Sequence, residues 1–342
     1  MSEFLRRMPY RPLPWSPSLA TEFRQRRGYA LEPNLPALVV GAGPRSARTR
    51  HDFWLTIGEL VAENYFGQIQ RWCDRHRIPS GGHLLAEENL ANHVALYGDF
   101  FSCVRRLDAP SIDCLTSFPP DVPWYIARLV ASAAELEGKL LVMCETSDHA
   151  QVWRPAGDTR PRRVVTEAEI RGTCNRLMVA GINTITSYYS FADLSDDALR
   201  RINEWVGRCA TMLRGGHQVA DLAVVYPAES LWTRFVPSPH WALAASGANR
   251  IDQLWRDALE GLFAGRRDFT VIDSRTLREA KVEQGTLVHG ALRWGSWSCR
   301  VSIRCRWQPG ANWLSSSGAA VWSSTSARSR LIAKGSFLAL RR

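Results

Sequence analysis

A chain of 342 residues that is 45% hydrophobic, with 14 Trp and 12 Phe, can bury a large core and hold two domains, which excludes a wholly disordered protein. The formal charge of +10 invites a nucleic-acid reading, yet residues 295–342 contain no Asp or Glu and hold eight of the 43 basic residues, leaving 35 basic against 33 acidic before them. A body at +2 without a basic, aromatic-interleaved stripe excludes a nucleic-acid partner, and no apolar run nears the ~20 residues that span a bilayer.

Residues 1–49 are rich in Pro, Gly and Arg and read as connecting structure with one short helix near Leu19 to Arg27. From Arg50 to His76 the apolar positions Phe53, Ile57, Leu60, Val61, Tyr65, Ile69 and Trp72 recur at three- and four-residue steps, which predicts a helix with one core face. Short apolar runs then alternate with helical periods. Strands are expected at Ser80 to Leu85, Ile112 to Thr116, Leu140 to Glu145, Ile182 to Ser187 and Leu222 to Tyr226, with helices over about 88–106, 123–138, 166–180 and 195–214. Strands apolar on both faces and separated by single helices build a parallel sheet, because each crossover covers a face. The fold class is α/β.

A polar cluster follows each of the first three strands: His83 with Glu87 and Glu88, then Asp113, then Glu145-Thr-Ser-Asp-His149. Barrel enzymes carry their chemistry at such C-terminal strand ends. The run ending at Tyr226 differs, since it follows the loop Arg214-Gly-Gly-His217 and leads into a Trp- and Pro-rich segment. A domain boundary is placed near residue 216, with a helix over 248–264 and a strand at Phe269 to Ile272 continuing a second, incomplete α/β domain over 216–294.

After Trp294 both periodicities vanish while Ser, Arg and Trp accumulate, and four Trp in 48 residues match disorder poorly. Read one nucleotide earlier, the Trp and Cys codons become codons ending in TG, mostly Leu, Val or Met. Residues 297–307 then read LVLPGVDTLPL and 313–324 read LAEFVRGGGVVV. The tail 295–342 is therefore expected to be an aberrant frameshift product. The eight Cys, at 73, 103, 114, 144, 174, 209, 299 and 305, form no CxxC pair and have no His at ligand spacing, so a zinc site is not expected. Reduced thiols within apolar runs, and Met1 followed by Ser-Glu-Phe-Leu-Arg-Arg, predict a cytoplasmic setting for the chain as written, with an export signal open only to an upstream segment.

Three stretches carry a resemblance. They are Trp72-Cys-Asp-Arg-His76 leading into Gly81-Gly-His-Leu-Leu-Ala-Glu-Glu88, then Leu107-Asp-Ala-Pro-Ser-Ile-Asp113, then Ser132-Ala-Ala-Glu-Leu-Glu-Gly138 with Val142-Met-Cys-Glu145. With Ala180-Gly-Ile-Asn-Thr184 they resemble the barrel of the α-L-rhamnosidase-type glycoside hydrolases, family 106 and its relatives, over roughly residues 10–294. The resemblance implies a partial (β/α)8 TIM-type barrel over 1–215, followed by the start of a flavodoxin-like or amidotransferase-like α/β domain. In that family an Asp-Glu-Pro motif precedes the point where this chain begins, so the first strands, one catalytic carboxylate and the flanking β domains are expected to be missing.

Glycoside hydrolysis needs two carboxyl groups, since the leaving oxygen is protonated while water or a carboxylate attacks from the other face of the sugar. The expected catalytic residues are Glu145, as base or nucleophile, with Glu87 or Glu88. His83, Asp113, His149, Tyr188 and Tyr189 are expected to bind a carbohydrate substrate. Family members of rhamnosidase type use calcium near the substrate, and the resemblance would make Asp113 with Glu87 or Glu88 its oxygen ligands. The alternatives are a non-catalytic truncated remnant or sugar-binding scaffold. An amidotransferase is set aside because no Gly-x-Cys-x-Gly turn is present. The number of copies in an assembly is not legible.

Overall fold

Four parallel strands, in the order β1 (Gly81–Gly82), β2 (Ala109–Cys114), β3 (Met143–Ser147) and β4 (Thr184–Tyr188), form a half-barrel sheet. The computed structural model describes residues 13–40, 43–153, 157–159, 161, 163–189, 193–237, 246–299 and 320–323. Of the tail expected to be out of frame, only 295–299 and 320–323 are described, and the rest of that expectation lies outside the described residues.

Two units make up the chain. Val61–Glu88 and Phe100–Gln218 form the one that holds the half-barrel, while the described parts of 1–60, 89–99 and 219–342 form the other. Within the second of these units Arg50 and Trp232 reach far along the chain. Arg50 Nε and Nη1 donate to the carbonyls of Thr233 and Ala37, and Trp232 Nε1 donates to Gly98 O at 2.7 Å.

In the half-barrel unit, polar clasps set the register at the N-terminal ends of the strands. Asp108 Oδ2 accepts from Ser80 N (2.8 Å) and Ser80 Oγ (2.9 Å) where β1 meets β2. Asn183 Oδ1 accepts from Val142 N at 2.9 Å, and its Nδ2 donates to Leu140 O at 3.0 Å, where β3 meets β4. Each satisfies backbone groups that the ladder leaves free. Register then pairs Asp113 with Glu145 and Glu145 with Thr186, so these side chains share one face of the sheet.

The opposite face is covered by helices. The helix α1 (Trp124–Leu136) packs against β2. A following pair, α2 (Glu167–Val179) and α3 (Asp196–Leu213), buries Val165, Ile170, Cys174, Met178 and Ile202 together with Ile185 of β4. The start of α2 is fixed by a capping box, Thr166 accepting from Glu169 N while Glu169 accepts from Thr166 N, and Ser195 caps α3 by accepting from Ala198 N. Gly181 lies at φ +109°, and a Cβ there would sit 2.5 Å from Ala131 Cβ, so the turn from α2 into β4 needs glycine both for its backbone and for the close approach of α1.

Two predicted helices are rebuilt. The stretch 88–106 is two helices, Leu90–Tyr97 and Phe100–Val104, broken at Gly98 with φ +78°. The stripe from Phe53 to Trp72 is also interrupted: the helix Pro44–Val61 gives way to a π turn at Ala62–Phe66 before the helix Gly67–His76. A π turn adds a residue to one helical turn and so re-phases whatever follows. Phe53, Trp54 and Ile57 are buried, whereas Tyr65, Ile69 and Trp72 are exposed, contrary to a single core face.

The other unit has its own core of edge-to-face aromatics, Trp54 on Phe235 (5.1 Å) and Tyr226 on Trp255 (6.3 Å). Tyr226 Oη also meets His93 Nδ1 at 2.7 Å. Its sheet orders β11-β10-β5-β6, with β5 (Leu222–Val225), β6 (Phe269–Ile272) and β10 (Ser296–Cys299) parallel and β11 (Ala320–Ser323) antiparallel. A separate antiparallel meander joins β7 (Lys281–Glu283), β8 (Thr286–His289) and β9 (Leu292–Trp294).

Candidate active site

The C-terminal ends of β1, β2 and β3 bring His83, Asp113 and Glu145 to one rim of the half-barrel unit. His83 follows β1 directly, and its Nε2 lies 3.5 Å from Glu145 Oε2. Its other ring nitrogen, Nδ1, sits 2.5 Å from Leu84 O and 3.7 Å from Glu87 Oε1. Since a carbonyl only accepts, Nδ1 carries the proton in that contact.

Glu87 is enclosed. Its side chain is 2% exposed, and Oε1 accepts from Leu84 N at 2.8 Å across a tight turn in which Ala86 takes φ +56°. Burial pushes its carboxyl up, while the His83 contact pulls it back. In the other direction the Glu87 carboxylate is the chief reason that His83 rises to about 9, aided by Leu84 O and the charge of Asp113 against the cost of burial. His83 is therefore held towards its imidazolium form, with Glu87 on one side of the ring and Glu145 on the other.

Asp113 shows the reverse. Burial pushes it up to about 6, the negative charges of Glu145 and Glu88 add to this, and His83 and His149 pull it down. Its Oδ1 is buried and has no hydrogen-bond partner in the structure. An acceptor left this way costs free energy until a ligand supplies a donor or the group keeps its proton.

Glu88 is half-buried; its backbone oxygen accepts from Tyr125 Oη at 2.9 Å, and its charge reaches Asp113. His149 opens the short helix His149–Val152 just after β3 and is exposed, its ring stacked on Trp153 with centroids 6.4 Å apart and planes 19° apart. The two tyrosines part company. Tyr188 ends β4 opposite Ser147, on the face of Asp113 and Glu145, and is 73% exposed. Tyr189 turns to the helix-covered side against the cluster of α2 and α3, where burial raises its phenol to about 12.

Residue-level reading of the sequence missed Trp153. Its signal was present: a tryptophan in the polar loop after a strand, 59% exposed. No group of three or more His, Cys, Asp and Glu among the described residues is placed to hold a metal ion. Glu87 is taken up by Leu84 N and His83, and an imidazolium beside Asp113 repels a cation, so the residues present do not fit a calcium site.

The profile of the α-L-rhamnosidase family matches residues 12–245. A protein of Formosa agariphila described as a putative beta-glucuronidase is 25% identical over 252 residues, covering 65% of this chain and 19% of that protein. The solved structure of a rhamnosidase from Novosphingobium sp. PP1Y shares the fold with a TM-score of 0.53 at 19% identity, covering 82% of this chain and 26% of that one. No helix among the described residues is long and apolar enough to cross a membrane.

Proposed function

The chain belongs to the α-L-rhamnosidase family of glycoside hydrolases, and from that premise we propose that its rim of acids cleaves the O-glycosidic bond of an α-L-rhamnoside or a related glycan. The observation that carries the reading is the unequal setting of two paired carboxyls. Asp113, raised to about 6 with a buried oxygen lacking a partner, is the acid that gives its proton to the leaving oxygen when it carries one, increasingly so below about pH 6. Glu145, with the His83 imidazolium 3.5 Å away, is the anion that attacks or activates water. A carboxyl pushed up by burial can serve as the acid beside a second carboxyl that serves as base.

Within this reading Glu87 positions His83 instead of touching sugar, and Glu88 supports the proton on Asp113 through its charge. Tyr188 and His149 line the rim. Release of the aryl group from a 4-nitrophenyl α-L-rhamnoside tests the proposal: Glu145→Gln is expected to cost about 10³-fold in kcat, the size of a lost acid or base. An active Glu145→Gln variant overturns the assignment.

A second reading has an observation of its own. His83, Asp113 and Glu145 all come from neighbouring strands, while hydrolysis calls for groups on both faces of the sugar. The chain spans 19% of its Formosa relative. Activity that appears only when upstream sequence is restored would make this chain a sugar-binding scaffold. A flavodoxin-like character for the second unit rests on the parallel pair β5 and β6, the first two strands of such a sheet. The acid-free tail is proposed to be out of frame, and an intact frame on resequencing around codon 295 overturns that.

A further inference from the structure

Just beyond the acids, the rim changes character. Moving two residues along a strand returns to the same face about 6.6 Å further out, roughly the length of one sugar ring. On β4 that step leads from Thr186 to Tyr188, and Leu115 follows Asp113 by two residues just past the end of β2. Leu115 is 41% exposed. On β3 the same step ends at the small, buried Ser147, and the following helix brings Trp153 instead.

This helix is held firmly to the loop after β2. Ala150 N donates to Leu115 O at 2.8 Å. Gln151 is buried, with its amide turned so that the oxygen accepts from Ser117 N (3.0 Å) and Thr116 Oγ1 (3.1 Å) and the nitrogen donates to Asp148 O (3.1 Å). Trp153 N closes the turn on His149 O at 2.8 Å. The indole is thereby backed by the His149 ring on a fixed support, with most of its surface open. Large apolar groups left in solvent at the rim that carries half-buried acids have the composition of a ligand subsite.

We infer that Trp153, with Leu115 and Tyr188, forms the leaving-group subsite, which takes a ring with an apolar face one ring out from Asp113 and Glu145. The inference rests on the proposed hydrolase site for its inner neighbour. Two sources supply such a ring, a second sugar or an aryl group, and both present C–H or π surface to an indole.

The test compares three α-L-rhamnosides: methyl, 4-nitrophenyl and a rhamnosyl disaccharide. In Trp153→Ala, KM is expected to rise about tenfold for the ring-bearing substrates and to stay unchanged for the methyl glycoside, with kcat retained and Trp153→Phe restoring most of the loss. A loss confined to the nitrophenyl substrate assigns the subsite to aryl groups, and one confined to the disaccharide assigns it to sugars. An equal loss on all three, or none on the ring-bearing pair, overturns the inference. Calorimetric binding of the uncleavable 4-nitrophenyl thiorhamnoside against methyl rhamnoside separates this from the hydrolase reading. A preference for the aryl thioglycoside that disappears in Trp153→Ala, in a chain without hydrolysis, keeps the subsite and removes the reaction. Hydrolysis with no such preference does the opposite, and binding of neither ligand overturns the subsite.

Discussion

The two ends of the four-stranded sheet are built on opposite terms. At the N-terminal ends Asp108 and Asn183 spend their polar atoms on Ser80, Val142 and Leu140, at 2.8 to 3.0 Å. At the C-terminal ends Asp113 keeps a buried oxygen without a partner, and His83 meets Glu145 at a long 3.5 Å. One end holds the strands together, while the other leaves bonding capacity to a ligand. The same division separates structural from catalytic conservation in barrel enzymes generally, and here it rests on hydrogen bonds alone.

Breaking the closed end should have the largest effect on stability. Asn183→Ala strips the partners from Val142 N and Leu140 O, and a loss of about 2–3 kcal/mol in urea unfolding is expected. A change below about 0.5 kcal/mol would put the register elsewhere, in the apolar packing. At the open end the sign should reverse. The folded Asp113 lies near 6, above its value in the unfolded chain, so ionising it costs stability as pH rises from about 4 to about 6. Asp113→Asn removes that cost, and a gain of about 1 kcal/mol at pH 7.5 is expected after discounting for its part-exposed position, with none at pH 4.

His83 sharpens the comparison from the basic side. Its folded value near 9 exceeds the unfolded one, so its contribution is complete below about 6.5 and disappears as pH rises through 9. The ring proton followed by NMR should titrate near 9, and Glu87→Gln should bring it down towards 6.5. A titration near 6.5 in the unaltered chain would remove the imidazolium from the rim. The smallest effect belongs to Tyr188, whose exposed ring packs little: Tyr188→Ala should leave stability within about 0.5 kcal/mol, read by thermal unfolding.

The parallel strands were legible because their apolar runs are short and each is followed by a helical period. Asp113 and Glu145 were legible because polar residues close those runs. Pairing of Tyr188 with Tyr189 hid their opposite directions until the strand alternation was applied to a known register. The π turn at Ala62–Phe66 has no pattern that distinguishes it from a continuous helix, so Tyr65, Ile69 and Trp72 read as core. Nor could local periodicity tell that residues before Leu60 fold with those after Val219, since the hydrogen bond from Arg50 to Thr233 spans 183 positions. The burial of Glu87 is likewise a property of one turn, in which Ala86 adopts a conformation its side chain does not announce.

Among the described residues the four-stranded sheet also ends in two selvages, β1 and β4. β4 runs Thr-Ile-Thr-Ser-Tyr, without a charge or proline, and its outer backbone is a template for another strand. Sequences of this kind recruit one another in solution. Concentrated preparations of this chain should therefore self-associate along β4, and a lysine placed at the exposed Thr186 should act as the hem that keeps them dispersed.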